Sequence, residues 1–88
     1  MMAKWTKTSA DVEEFARVHG LIGDTYPLPK LHIKTKNGNT FSGHAVGFQL
    51  SKRNYSGAYR GVVTILVGAE IVEIEYLDID TVERITSG

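Results

Sequence analysis

A mainly β domain is the fold this sequence predicts: a small, strongly bent five-stranded antiparallel barrel preceded by one N-terminal α-helix. Three observations carry it. Asn37-Gly38, the strongest short hairpin signal a sequence holds, stands between Leu31-His32-Ile33-Lys34 and Thr40-Phe41-Ser42. The strand after that turn breaks its own alternation, since Phe41 and Ala45 keep period two but the next large inner residue, Phe48, comes three later. Helical periodicity with start and stop signals occurs before the hairpin, whereas the segments after it read as strands and turns.

Eighty-eight residues make one domain. Residues 1–8 lack periodicity and are expected to be a flexible tail, with Trp5 as an unplaced exception; residues 9–88 form the domain. Thr8 or Ser9 caps a helix over about 9–19, with Asp11, Glu13 and Glu14 placed where the helix dipole favours acids. Val12, Phe15, Ala16 and His19 make its apolar face, and Glu13 sits four before Arg17. Gly20 is the predicted stop, with Leu21 folding back beyond it. Residues 20–29, with Pro27 and Pro29, form an extended connector to a barrel over 30–86.

Register at the hairpin follows from faces. A two-residue loop would set Lys34 opposite Phe41 and mix apolar with charged side chains. A three-residue loop of Lys36, Asn37 and Gly38, with Gly38 left-handed in a bulge, pairs Ile33 with Phe41 and Leu31 with Gly43 instead. The parity break further on requires a bend, and Gly43 and Gly47 bracket it, as where a side chain would collide with neighbouring backbone. Residues 51–58 form a loop by composition. Val62 to Val67 is apolar on both faces, so one of them needs the helix or a neighbouring chain. In the next strand Val72, Ile74 and Tyr76 face inward and Ile71, Glu73 and Glu75 outward, and residues 77–85 have the tight-turn-then-short-strand form that closes a small barrel.

Net charge is zero but its order is not neutral: minus one over residues 1–24, plus six over 25–69, where no acid occurs, and minus five over 70–88. Such a split suits an anionic ligand on the basic part or head-to-tail pairing between copies. The chain has no cysteine, hence neither disulfides nor a cysteine-ligated zinc. With no membrane-length apolar run and no charged-then-apolar leader, a soluble, cytoplasmic protein is expected. His32 and His44 fall diagonally on the outer face of the hairpin, but a metal site wants a third ligand, so no metal and no cofactor is expected. No serine or threonine has a matched histidine and acid, and no catalytic residue is assigned: the chain does not read as an enzyme.

The run Asn37-Gly38, then Phe41-x-Gly43-x-Ala45-x-x-Phe48-Gln49, resembles the first signature of the Sm, Lsm and Hfq proteins. That signature has a turn Gly, a Gly inside strand two, an aliphatic two on, an aromatic three further, then an Asp. Leu77, Val82 and Ile85 match the aliphatic positions of the second signature. The resemblance covers residues 9–86 and implies an SH3-like (Sm-like) barrel, a homo-oligomeric ring in which strand four of one copy pairs with strand five of the next, and single-stranded RNA as partner. It also implies that pocket residues come from the loop after strand two and the turn before strand five. There the pattern departs: Gln49 replaces the Asp, Arg53 stands where an Asn is expected, Asn54 comes one place late, and Asp78-Ile79 replaces Arg-Gly.

The expected RNA-binding residues are therefore Gln49, Lys52, Arg53, Asn54, Tyr55, Tyr59, Arg60 and Asp78, a mixture of cations for phosphate and rings for bases in an altered pocket. Expected at the contact between copies are Val63, Ile65 and Val67, then Ile71 and Glu73, then Val82 and Arg84. Two classes of function remain: a ring-forming RNA binder, or an assembly module of the same architecture that binds no RNA.

Overall fold

The computed structural model describes residues 5–22, 28–53 and 57–85. In chain order it holds α1 (Ser9–Ile22), β1 (Lys30–Thr35), β2 (Thr40–Lys52), β3 (Tyr59–Val67), β4 (Glu70–Glu75), a 3-10 turn (Tyr76–Asp78) and β5 (Ile79–Ile85). The strands form one antiparallel sheet in the order β4-β3-β2-β1-β5.

Helix α1 starts as its capping signals require. Thr8 Oγ1 accepts from the Asp11 N–H at 3.1 Å, while the Asp11 carboxylate accepts from the N–H groups of Thr8 and Lys7, a reciprocal cap. These bonds, the one from Lys7 foremost, hold the Asp11 carboxyl below the usual range. The helix then runs through Gly20 rather than stopping there. A mid-helix glycine costs about 1 kcal/mol, whereas burying an isoleucine yields about 1.5–3 kcal/mol, and Ile22 is fully buried. The extra turn re-aims the helix: Phe15, Val18, His19 and Ile22 form its inner stripe, and the expected Val12 and Ala16 are exposed. Its last carbonyls are capped from a distance, by Arg84 donating to Leu21 O at 2.7 Å and to Gly20 O at 3.4 Å.

The first hairpin has the expected bulged turn. Ile33 pairs with Phe41 and Leu31 with Gly43, Thr35 N–H donates to Asn39 O, Gly38 N–H donates to Thr35 O, and Gly38 has φ +91°. Gly38→Ala is expected to cost about 1 kcal/mol or more, because a Cβ disfavours that conformation. Denaturant melts superimposable on the parent's would refute it.

Strand β2 serves two partners, lying beside β1 up to His44 and beside β3 from His44 onward. The register with β3 shifts between Ala45 and Gly47, leaving Val46 half exposed, so the parity break is a bulge and a bend. At Gly43 the bend brings backbone against backbone, and a Cβ there would strike the Leu66 carbonyl. Gly47, expected to be crowded in the same way, has open space. Val63, Ile65, Ile74 and Ile79 meet Leu31, Ile33 and the α1 stripe in one core.

The sheet is not closed. β4 and β5 lie at opposite ends of the strand order and do not pair, contrary to the expected barrel closure. Register shifts at Ala45/Gly47 in β2 and at Lys34/Thr35 in β1 curl the sheet, and the 3-10 turn carries the chain from the β4 edge to the β5 edge, where Lys36 N–H donates to Asp78 O at 2.8 Å, without bringing the edges into register.

Candidate nucleic-acid interface

The site begins where the expected tail is not a tail. Thr6 is buried and bridged to the first residue of β3: its N–H donates to Tyr59 O at 2.9 Å and its hydroxyl accepts from Tyr59 N–H at 2.8 Å. With Thr6 pinned next to it and Thr8 capping α1 just beyond, Trp5 is brought to the end of the β2–β3 hairpin. There the Arg53 guanidinium carbon lies 4.3 Å from its ring centroid. Beside it Lys52 Nζ stands 5.6 Å over the Tyr59 ring, which rests on Phe15 at 5.6 Å. Two exposed cations thus each lie over an aromatic ring, and among the described residues neither is ion-paired.

Beneath the patch is an aromatic layer. Phe15, His19, Phe48 and Tyr76 pack with ring centroids 5.3–6.5 Å apart, and His19 Nδ1 lies 3.3 Å from the Tyr76 hydroxyl. Burial pushes the Tyr76 phenol up to about 12. Tyr76 is seated against Gly61, where a Cβ would clash with the ring.

Of the expected RNA-binding residues, Lys52, Arg53 and Tyr59 are brought together, and Trp5 joins them. Asn54 and Tyr55 lie outside the described residues. Gln49 is exposed further back on β2, opposite Val62. Arg60 is turned elsewhere: its Nε donates to Glu75 at 2.8 Å, and Glu75, expected outward in solvent, is buried. Alternation identifies a residue's face, not whether Arg60 and Val62 cover that face. Asp78 is half-buried in the 3-10 turn and borders a cavity of about 280 Å³ with Asn39, Phe41, Val72 and Glu73, apart from the basic cluster.

The residues expected between copies divide. Val63, Ile65 and Val82 are buried in the chain's own core and Val67 packs against it, so these side chains are not an outer surface. Doubly apolar β3 is covered on its inner face by the sheet's own curl and by α1. Arg84 caps the helix, while Ile71, 69% exposed, and Glu73 stand on the free β4 edge.

His32 and His44 are diagonal as expected, and among the described residues no three metal-binding groups meet. The sheet does add a contact that motif reading missed, His32 Nδ1 to Ser42 Oγ at 2.5 Å, because the two are cross-strand partners. Among the described residues no helix is long and apolar enough to cross a membrane.

Fold and site together define a small helix-plus-sheet domain with a basic, aromatic-backed patch at one hairpin end. No family model, curated protein or solved structure matches the chain.

Proposed function

We propose that this chain is a ring-forming, Sm-like protein that binds single-stranded RNA, with a nucleotide pocket altered from the family's. The observation that carries the binding is the pair Lys52 and Arg53, exposed at the end of β2 with rings beneath them. Cations that hold phosphate beside rings that stack on bases suit an unpaired strand, and stacking of this kind accepts any base. The ring is supported by the strand order, which leaves β4 and β5 as free edges, and by Ile71 standing exposed on one of them. Pairing one edge with a different edge is heterologous, and such contacts close into rings when the rotation permits. A ring repeats Lys52 and Arg53 in a circle, so weak single sites gain through effective concentration along one strand.

Light scattering after size exclusion should give a mass several times 9.7 kDa, and a monomer mass would remove the ring. Polarisation titrations with uridine-rich and adenine-rich oligomers should show affinity falling steeply with salt, with mild sequence preference. Lys52→Ala and Arg53→Ala should each weaken binding to both oligomers and lower the log–log salt slope by about 0.7. An intact oligomer without salt-sensitive binding would make the chain an assembly module.

A further inference from the structure

We infer that Trp5 is a base-stacking residue, masked by Arg53 until nucleic acid arrives, and that the Thr6–Tyr59 bridge exists in part to hold it at the hairpin end. This deepens the RNA-binding reading and rests on it. The chain's single tryptophan is half-buried although it precedes the first helix, and the chain that follows it is anchored twice, by the Thr6 bridge and by the Thr8–Asp11 cap. Two hydrogen bonds to Tyr59 hold the backbone beside it, so presenting the ring costs little further ordering when a ligand binds.

The guanidinium 4.3 Å from the Trp5 centroid leaves no room for a base between them. A base therefore reaches that face of the indole by displacing Arg53. The exchange is favourable because an exposed cation–π contact is worth less than a base stacked on an aromatic ring. The displaced guanidinium lies where the strand's phosphates pass, and it exchanges a ring contact for charge-assisted hydrogen bonds. Tyr59, backed by Phe15 and approached by Lys52, offers the same arrangement one step along. The patch thus has two cation-and-ring pairs, each able to take a base and a phosphate, which gives the strand a register without a base-specific pocket.

The lone tryptophan makes the test direct. Unlabelled oligouridylate and oligoadenylate are titrated into the full chain with excitation selective for tryptophan, and inorganic polyphosphate serves as a base-free polyanion. Both oligonucleotides should change Trp5 emission at the concentrations where polarisation reports binding, whereas polyphosphate should bind with a much smaller change. Trp5→Ala should lower oligonucleotide affinity about tenfold and leave polyphosphate affinity unchanged, and Trp5→Phe should restore most of the loss. Circular dichroism and oligomer mass identical to the parent's separate a lost stack from a lost fold. Oligonucleotide binding with unchanged Trp5 emission, and with Trp5→Ala as tight as the parent, would overturn the inference and leave the RNA-binding reading intact. An equal emission change with polyphosphate would overturn it too, and no binding of either oligonucleotide would remove both.

Discussion

Tyr76→Ala is expected to cost about 3–5 kcal/mol, the range for truncating a fully buried aromatic, which is a large share of the stability of a domain of this size. Tyr76 is fully buried, closes against Gly61, and packs with Phe15 and His19 of α1, so its loss leaves a cavity at the helix–sheet contact. Tyr76→Phe should cost only about 0.5–1.5 kcal/mol, for the hydrogen bond to His19. The phenol also makes stability depend on pH. Its ordinary value is near 10 and burial raises it to about 12, so the folded chain keeps the proton longer than the unfolded one. Its contribution is complete below pH 10 and is lost as pH rises from 10 to 12, by about 3 kcal/mol in all. Chemical denaturation across that window, compared between parent and Tyr76→Phe, isolates this group from the other tyrosines and lysines. Parallel curves would refute it.

Arg60→Ala is expected to destabilise by about 3 kcal/mol. Removing one partner of a buried ion pair costs about 3–5 kcal/mol because it strands the other charge. Glu75 has only 4% of its side chain exposed, but Arg60 keeps 34% of its own, which places the pair at the low end. Replacing both, Arg60→Met with Glu75→Leu, should recover most of the loss, since an apolar pair of similar volume avoids desolvating two charges. A single mutant as stable as the parent would show the pair to be ornamental. The same experiment tests the assignment of Arg60: if it still bound RNA directly, the stable double mutant would bind more weakly than the parent, whereas a structural role predicts equal affinity.

The features legible in the sequence were those in which near neighbours decide. The bulged turn at Gly38, the pairing of Ile33 with Phe41, the cap on Asp11 and the bend after Ala45 each follow from conformational limits or alternation within a few residues. Lys52, Arg53 and Tyr59 were legible for the same reason, since a short hairpin end necessarily gathers its own residues. Trp5 was not, because its place depends on Thr6 meeting Tyr59 fifty-three residues away, and no local pattern signals a bridge of that span. The helix end was misread at Gly20 because local propensity is a smaller term than the burial of Ile22 and the carbonyl cap from Arg84, sixty-three residues on. Glu75 reads as solvated because period two assigns a side to every residue; only the folded sheet decides that Arg60 and Val62 cover that side. Local sterics and periodicity thus determined the turns, strands and register, while burial and long-range hydrogen bonds decided how far the helix ran, which charges were enclosed and which ring met the basic hairpin.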